Sequence, residues 1–499
     1  MGSWEHFLGG LSIVLQPENL FFCFIGVLAG TLVGVLPGIG PVGAVALLLP
    51  TTFRLNPVSA VIMLAGINYG AQYGGSTTSI LVNVPGESSS VITCLDGYQM
   101  ARKGRAGPAL GIAAFGSFIA GTLSVAGVML LAPVLSRAAL AFGPPEYFTL
   151  MFMSIMIVAY LVRGSMVKAL IMFGLGLIMG TLGMDPITGK ERFSYEVLAL
   201  RDGFGVIPVV IGMFGVAEIM ESISSSIKAK AFQERIKGYL PSRQDWRDSA
   251  APIARGSLLG FILGIFPGIT PLLPTFLIYG IEKKLSRHPE RFGAGVIEGV
   301  AAPESSNNAA STAGFVPLLS LGIPSNAFNA VLLGALMVYG LRPGPLLIKS
   351  HPDLFWGLLS SMYVGNVLLL VLNLPLIPLW VWVLRVPYTL LSVLILIFCF
   401  LGAYSINNSL AEVTITFAFG IFGFLIRKFN FEAPPFILAF VLGPLMETAF
   451  RQSLIMSGGS FSIFVTQPIS TFFLLVAFGV LITAFIKKKP FAKGIESES

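Results

Sequence analysis

The hydrophobic and polar positions of the chain form long apolar runs separated by short polar segments. Apolar runs of roughly 20 residues recur at 109–135, 146–162, 167–184, 205–220, 355–380, 388–404, 409–426 and 470–486. Each is long enough to cross a hydrocarbon core of about 30 Å as a helix rising about 1.5 Å per residue. The strict alternation typical of membrane β-barrels is absent from these runs. The pattern therefore predicts an all-α polytopic membrane protein with about 10 to 12 transmembrane spans.

One apolar run ends in sequence that favours a break in the helix. Residues 34–43, GVLPGIGPVG, contain two prolines and four glycines. An unpaired peptide group is costly in hydrocarbon, so such backbone persists at membrane depth only where protein, water or ligand satisfies it. The segment therefore predicts a discontinuous helix, which serves either as a binding element or as a hinge between closely packed helices.

The same segment occurs a second time. GVLAGTLVGVLPGIGP (26–41) and GSLLGFILGIFPGITP (256–271) are identical at eight of 16 positions, and both contain the PG pair. An internal repeat of this kind is typical of a secondary transporter built from two pseudo-symmetric halves. Two copies at equivalent places favour the binding element over the hinge.

A second pair of equivalent segments is rich in hydroxyl and amide side chains. Residues 68–89 (NYGAQYGGSTTSILVNVPGESS) align loosely with 307–328 (NNAASTAGFVPLLSLGIPSNAF), so that Asn68 corresponds to Asn307. The apolar run within each is too short to span a bilayer, which favours a re-entrant hairpin, the first at 65–86. Scattered Ser and Thr residues often only hold helices together, but two dense clusters at matching places favour a binding site.

The spans between the two copies predict how the repeats are oriented. One crossing at 26–50, a hairpin and four further spans precede residue 256, and this odd number predicts two inverted-topology repeats. Most basic loops then lie on one face, although 282–291, with a net charge of +2, lies on the other. The predicted domains are a first transmembrane repeat (1–220), a basic cytoplasmic linker (221–255) and a second transmembrane repeat (256–499). The linker is typical of a solvated loop, with anionic membrane lipid or a partner protein as the alternative contact.

Composition and charge agree with the membrane assignment. Of the 499 residues, 55% are hydrophobic and 11% are charged, whereas soluble domains carry about 25% charged residues. The net charge of +7 is explained by cytoplasmic loops, and no basic patch with interleaved aromatic residues indicates nucleic acid. Three cysteines and three histidines leave almost no material for a zinc site. We therefore expect no cofactor, and no metal beyond a coupling Na⁺.

The broken helices and the polar clusters together suit a carboxylate ligand. Exposed N–H groups at a helix N-terminus attract anions, and freed carbonyls at a C-terminus can coordinate Na⁺. Hydroxyls and amides supply both donors and acceptors. We predict that substrate carboxylates contact N–H groups near Gly38 and Gly268, close to the bilayer midplane. The candidate substrate-binding residues are Gly34, Pro37, Gly38, Gly40, Asn68, Ser76, Thr77, Thr78, Pro267, Gly268, Thr270, Ser305, Ser306, Asn307, Asn308, Ser325 and Asn326.

Two carboxylates lie beside these clusters. Glu304 and Glu87 are predicted at membrane depth, where an ionisable side chain is costly and usually functional. They do not occupy equivalent positions in the two copies. Lys and Arg are absent from both clusters, so a bound anion needs a cation to offset its charge, which predicts coupling to Na⁺ or H⁺. The candidate cation-coupling residues are Glu304, Ser311, Thr312 and Glu87.

The motifs closely resemble those of the large membrane subunit of the tripartite tricarboxylate transporters, the TctA family. The resemblance is carried by GVLPGIGPVGAVALLLP, NYGAQYGGSTTSILVNVPGE, PGITPLLP and APESSNNAASTAGFVPLLSLGIPSN, and it runs from about residue 10 to 486. The family's proposed citrate-contact motif, G-x3-G-x2-P-G-x-G, matches Gly30, Gly34, Pro37, Gly38 and Gly40. The second copy matches at Gly260, Gly264, Pro267 and Gly268. There Thr270 replaces the last glycine, which makes the two half-sites unequal.

The resemblance implies one subunit of a three-part importer. Such large subunits work with a small four-helix membrane subunit (TctB-like) and a periplasmic solute-binding protein (TctC-like) that delivers carboxylates. In that family a cation gradient drives uptake without ATP, and this sequence contains no Walker A motif. The implied location is the bacterial inner membrane, with multiple spans.

Three other functions compete with a tripartite importer. A stand-alone cation-coupled carboxylate carrier is the nearest alternative, and a channel is less favoured because two halves suit alternating access. An intramembrane serine hydrolase would need a His or Lys partner at membrane depth. The histidines (His6, His288 and His351) lie in predicted loops or termini. We therefore expect that the protein is not an enzyme.

Overall fold

The computed structural model describes residues 3–36, 40–161, 165–224, 238, 240–383 and 388–486. The helices of the first half are α1 (Ser3–Val14), α2 (Pro17–Val35), α3 (Gly40–Leu48), α4 (Pro57–Val82), α5 (Val91–Met100), α6 (Ala106–Ala139), α7 (Pro144–Leu161), α8 (Met166–Gly180), α9 (Val206–Val210) and α10 (Ala217–Ser224). Between α8 and α9, β1 (Gly183–Met184) pairs with β2 (Glu191–Arg192) in an antiparallel hairpin.

The second half is also helical. Its helices are α11 (Arg243–Gly264), α12 (Leu272–Leu285), α13 (Glu298–Ala313), α14 (Phe315–Leu321), α15 (Ala327–Val338), α16 (Leu347–Ser350), α17 (Pro352–Asn373), α18 (Ile377–Val383), α19 (Tyr388–Asn407), α20 (Leu410–Lys428), α21 (Ala433–Met456), α22 (Ile463–Thr466) and α23 (Pro468–Ile486). Short 3₁₀ turns lie at Leu49–Thr52, Ser88–Ser90, Leu198–Leu200 and Pro289–Arg291, and π-helical turns at Ala101–Arg105 and Ile211–Val216.

The predicted all-α polytopic membrane architecture is confirmed. Within the described ranges, six helical stretches are long and apolar enough to span a membrane: Pro17–Val35, Ser88–Ala139, Pro144–Leu161, Pro352–Asn373, Leu410–Lys428 and Ala433–Met456. Shorter apolar helices, such as Met166–Gly180 and Pro468–Thr483, accompany them. The inverted orientation of the repeats stays a prediction.

A stripe of glycines brings α2 into backbone contact with α4. A methyl group added at Gly26, Gly30 or Gly34 would lie 2.4, 2.3 and 2.1 Å from carbonyl oxygens of α4. Distances this short leave no room for a side chain, so only glycine permits this approach. With little hydrophobic driving force between helices in lipid, such close packing is a main source of helix association.

The second half repeats this contact at equivalent positions. A methyl group at Gly256, Gly260 or Gly264 of α11 would lie 2.4, 2.3 and 2.4 Å from carbonyl oxygens of α13. The α13 carbonyls belong to Ala302, Ser306 and Ala310, and their counterparts on α4 belong to Met63, Ile67 and Ala71. The three α4 residues and the three α13 residues are separated by the same sequence offset as Asn68 and Asn307. The glycines of the repeat therefore fix the helices that carry the two polar clusters.

The helices that carry the glycine stripes stop where the PG segments begin. In the first half α2 ends at Val35 and α3 begins at Gly40. In the second half α11 ends at Gly264 and α12 begins at Leu272. Proline lacks a backbone donor and clashes with the preceding turn, so a helix cannot continue through either segment without a kink.

Each polar cluster is followed by a second break. Asn83 after α4 has a φ of 60°, and Gly322 after α14 has a φ of 72°. Both are left-handed conformations that end a helix. Glu87 is then the N-cap residue of the 3₁₀ turn before α5, and Asn326 is the N-cap residue of α15. Glu87 and Asn326 are equivalent in the alignment of 68–89 with 307–328.

The structure corrects the predicted hairpin at 65–86. Helix α4 runs without interruption to Val82, and the break follows at 83–87. The hydroxyls of Thr78 and Ser79 donate to carbonyls one turn earlier in the same helix, at 3.2 and 2.9 Å. Because these hydroxyls are satisfied within the helix, the polar cluster does not break it.

The predicted linker 221–255 is partly helical. Helix α11 begins at Arg243 because Ser242 and Asp245 form a capping box that satisfies backbone donors at its first turn. At the other end of the linker, α10 continues to Ser224. Residues 225–237 and 239 of the predicted linker lie outside the described residues.

The glycine contact predicts the effect of one methyl group. Gly260→Ala places a methyl group 2.3 Å from the Ser306 carbonyl oxygen, so α11 must move away from α13. Overpacking of this kind costs about 1–3 kcal/mol. We expect a lower melting temperature in detergent. Gly280→Ala on α12, where the methyl group has open space within 4 Å, is the control and should melt like the wild type; equal melting of the two variants would contradict the account.

Candidate functional site

One face of α4 supplies three polar side chains to the centre of the protein. Asn68, Gln72 and Ser76 are four residues apart, so they share a face of the helix. Their exposed fractions are 1%, 3% and 5%. This face meets α13, on which Glu304 and Ser311 lie on a common face.

The two helices touch through residues that the repeat makes equivalent. Gln72 donates to the hydroxyl of Ser311 and, at 3.3 Å, to the side-chain oxygen of Asn68. Asn68 also donates to Ser311 at 3.3 Å. Gln72 and Ser311 correspond to each other in the alignment of 68–89 with 307–328. A contact between equivalent residues is what a pseudo-two-fold axis through this point would produce.

Glu304 is enclosed by hydroxyl donors. Ser76 donates to its Oε2 atom at 2.6 Å, and Thr93 of α5 donates to Oε1. Its exposed fraction is 1%. On the same helix, Asn308 donates to Ser117 of α6 at 2.7 Å. Sequence reasoning missed Thr93 and Ser117, because each lies outside the two polar clusters and only tertiary packing brings it to Glu304.

Glu87 contacts the other half of the protein. The amide of Asn307 donates to its Oε1 atom at 2.7 Å. The break after α4 carries Glu87 to this position, which no sequence spacing indicated. Glu87 of the first half thus contacts Asn307 of the second half, and Glu304 of the second half contacts Ser76 of the first half.

In the part of the chain that the structure describes, these two carboxylates have no cationic partner, unlike several other acidic residues of the protein. Among the described residues, no Lys, Arg or His forms an ion pair with Glu304 or Glu87. By contrast, Asp185 lies 2.8 Å from Arg192, and Glu282 lies 2.6 Å from Arg255. A buried charge without a counter-charge is strongly unfavourable. Glu304 and Glu87 therefore need a proton or a cation.

Several acceptor oxygens in the same region also lack a donor. Buried atoms without a hydrogen-bond partner include Gln72 Oε1, Asn307 Oδ1, Ser305 Oγ and Ser306 Oγ. Leaving a buried polar group unpaired costs about 1–3 kcal/mol. Such unpaired groups in a protein core point to a bound water, ion or ligand.

The side chains of α13 are divided among three neighbours. Glu304, Asn307, Asn308 and Ser311 take part in the hydrogen bonds above. Ser305 instead faces α6, where a methyl group on Gly116 would lie 2.9 Å from its hydroxyl, and Ser306 packs its backbone against Gly260. Thr312 is partly buried. Because an α-helix has about 3.6 residues per turn, consecutive residues of α13 lie on different faces of the helix.

The remaining first-half candidates lie outside the hydrogen-bonded network. Thr78 faces α2, where its hydroxyl oxygen lies 3.4 Å from the Val35 carbonyl oxygen. Gly34 packs against Ala71, and Gly40 starts α3 with a φ of 62°. Pro37 and Gly38 lie outside the described residues. Thr77 is 4% exposed and lines a pocket that also reaches Glu304.

A second polar group forms at the break of the second half. The N–H of Gly268 donates to the Ser325 carbonyl at 2.9 Å. Ser325 accepts from Asn329 at 2.7 Å, and Asn326 accepts from the Asn329 N–H at 2.9 Å. The Gly268 N–H, expected to contact a substrate carboxylate, is therefore occupied within the protein. Pro267 and Thr270 lie in the same segment between α11 and α12, where Thr270 accepts from the Leu273 N–H at 3.2 Å.

Asp96 of α5 fixes the start of α13. Its carboxylate accepts the N–H groups of Gly293, Gly295 and Val296 at 2.7–3.1 Å and the Tyr279 hydroxyl at 2.9 Å. A carboxylate that accepts this many donors is well satisfied without a counter-ion. Asp96 therefore holds the loop that positions Glu304, and it is a structural residue.

Comparisons with known proteins agree with the resemblance in the sequence. Residues 20–438 match the profile of the tripartite tricarboxylate transporter TctA family. An uncharacterized 52.8 kDa protein in the TAR-I ttuC′ 3′ region of Agrobacterium vitis is 48% identical over 477 residues, or 96% of this chain and 95% of the relative. A protein in the TAR-II ttuC′ 3′ region of the same organism is 46% identical over 227 residues, or 46% of this chain and 94% of the relative. No solved structure shows a significant match.

The geometry predicts the result of changing two polar residues at once. Asn307→Ala with Thr77→Val removes one amide and one hydroxyl from the region around Glu87 and Glu304. A hydrogen bond to a charged group contributes about 1.5–3 kcal/mol, so carboxylate uptake should fall at least about 10-fold while the melting temperature changes little.

The matched control changes the same residue types elsewhere. Asn366 on α17 and Thr149 on α7 are 5% and 0% exposed, and Asn366→Ala with Thr149→Val should keep uptake near that of the wild type. Unchanged uptake by the well-expressed Asn307→Ala, Thr77→Val variant would show that the site lies elsewhere.

Proposed function

The chain belongs to the tripartite tricarboxylate transporter TctA family, and we propose that it is the large transmembrane subunit of a binding-protein-dependent importer of di- and tricarboxylates. A Na⁺ or H⁺ gradient drives uptake in this proposal, and the subunit resides in the bacterial inner membrane. Its partners are a small TctB-like membrane subunit and a periplasmic TctC-like binding protein. The family is a transporter family, which agrees with the expectation that the protein is not an enzyme.

The observation that carries the coupling part of the proposal is the pair of buried carboxylates without a cationic partner. Glu304 and Glu87 lie close to the meeting point of α4 and α13. Bringing a carboxylate substrate beside them would add further negative charge in a medium that solvates charge poorly. Cations that enter with the substrate would remove this penalty. A site of this composition therefore favours coupled transport over transport of the anion alone.

Asn307 gives a candidate contact for the substrate. Its amide nitrogen donates to the Glu87 carboxylate at 2.7 Å, and its side-chain oxygen has no donor. A substrate carboxylate would need the same kind of donor. We propose that Glu87 occupies this amide in the absence of substrate and that a substrate carboxylate replaces it once a cation has neutralised Glu87.

A stand-alone cation-coupled carboxylate carrier is the second candidate. The same buried site would serve such a carrier, so the site does not separate the two functions. The family match favours the tripartite importer.

Uptake in proteoliposomes tests the proposed function. Vesicles that contain both membrane subunits should accumulate carboxylate from micromolar solution when a carboxylate-binding protein and an inward Na⁺ or H⁺ gradient are supplied. The same vesicles with the binding protein omitted are the control and should transport poorly at this concentration. Full-rate uptake by the large subunit alone at micromolar substrate would favour the stand-alone carrier, and no uptake with any carboxylate would contradict both.

A further inference from the structure

A small pocket opens beside Glu304. Five helices contribute its lining: α4, α6, α13, α17 and the start of α18. The oxygen-bearing residues of the lining are Tyr73, Ser76, Thr77, Ser117, Glu304 and Asn373, and the rest of the lining is apolar. The pocket has room for about one water-sized particle.

Asn373 is a polar residue of this pocket that lies outside the repeat's two polar clusters. It lies at the end of α17, far in sequence from both polar clusters, and it is 5% exposed. Its amide nitrogen donates to the Leu369 carbonyl at 2.9 Å. Its side-chain oxygen is buried and has no donor. That hydrogen bond fixes the orientation of the amide, and the unpaired side-chain oxygen is an acceptor available to a ligand in the pocket.

Three other hydroxyl groups of the pocket already donate their protons within the protein, so their oxygens remain available as acceptors. The Ser76 hydroxyl donates to Glu304 and keeps lone pairs, and Ser117 donates to the Glu304 backbone carbonyl at 3.4 Å. Tyr73 uses its hydroxyl to donate to the Ala114 carbonyl at 3.4 Å. One carboxylate and several neutral oxygens thus surround this space, and none of the described residues that line it is basic.

This set of groups fits a small monovalent cation. Hard cations take oxygen ligands from carboxylates, carbonyls and hydroxyls. A single carboxylate balances one positive charge, whereas divalent sites in proteins usually have more carboxylates and more ligands. A proton on Glu304 would neutralise the carboxylate but would leave the Asn373 oxygen without a partner. A cation in the pocket satisfies both groups.

We propose that this pocket is a Na⁺ site, with Glu304 as the charged ligand and Ser76, Thr77, Ser117 and Asn373 as neutral oxygen ligands. The proposal deepens the proposed function and rests on it, because it assigns the coupling ion and its ligands. It also separates the ion site from Ser311 and Thr312, which sequence reasoning had grouped with Glu304. Ser311 is engaged by Gln72 and Asn68, and neither Ser311 nor Thr312 lines the pocket.

Binding of radioactive Na⁺ to the purified subunit tests the site in the absence of substrate and partners. The wild type should bind Na⁺ saturably, and Na⁺ should raise its melting temperature more than equal concentrations of K⁺ or choline. Asn373→Ala removes one ligand to a charged species and should weaken Na⁺ binding about 10- to 150-fold. Asn366→Ala is the matched control, because Asn366 is on the same helix with the same 5% exposure and does not line the pocket.

The outcomes separate the ion site from the transport function. Wild-type Na⁺ affinity in Asn373→Ala, or equal stabilisation by Na⁺ and K⁺, would overturn the site. Uptake driven by a proton gradient in a preparation that binds no Na⁺ would also overturn it, yet it would leave carboxylate transport standing. A preparation that binds Na⁺ with the predicted loss in Asn373→Ala, but that transports no carboxylate with its partners, would support the ion site and contradict the proposed function instead.

Discussion

Glu304 is a carboxylate buried among helices of a membrane protein, and its nearest donors are two neutral hydroxyls. A hydrocarbon interior does not solvate charge, and the described residues bring no cation to it. The surrounding elements act under this constraint. Asp96 holds the loop before α13, α4 presents Ser76, α5 presents Thr93, and α6 packs Ser117 against the next turn. In the proposed function, a coupling cation compensates the negative charge of Glu304.

The glycine stripes explain how such a position is held. Helices that associate in lipid do so largely through close packing, and here α2 and α11 press their glycines against α4 and α13. These two tight pairs then meet through a few polar contacts, such as that between Gln72 and Ser311. The α2–α4 pair and the α11–α13 pair are each tightly packed, whereas few polar contacts join one pair to the other. This arrangement allows one pair to move against the other while each pair stays intact. Alternating access in transporters of two repeats uses motions of this type.

Sequence reasoning predicted the fold class, which is confirmed, and it pointed to several residues that the structure brings together where α4 meets α13. Both inferences rest on local sequence pattern. Spans follow from apolar length, and the equivalence of Asn68 with Asn307 follows from alignment. Sequence reasoning missed the residues that reach the site only through tertiary packing. Thr93, Ser117 and Asn373 are isolated polar residues in apolar helices and carry no local signal. Ser305 and Ser306 look like their neighbours in sequence, yet the Ser305 hydroxyl faces α6 and the Ser306 backbone packs against α11. The hairpin predicted at 65–86 is instead a helix that continues to Val82, because the hydroxyls of Thr78 and Ser79 bond within the helix rather than break it.

The most direct test of the central claim is the ratio of cations to carboxylate transported by Glu304→Gln. The ratio is measured in proteoliposomes with both membrane subunits and the binding protein, from the substrate gradient that balances a known cation gradient. If Glu304 carries the charge that a coupling cation offsets, the variant should exchange carboxylate but lose at least one cation per substrate. Glu146→Gln, which changes a buried carboxyl (6% exposed) outside the network, should keep the wild-type ratio. An unchanged ratio in an active Glu304→Gln variant would contradict the account.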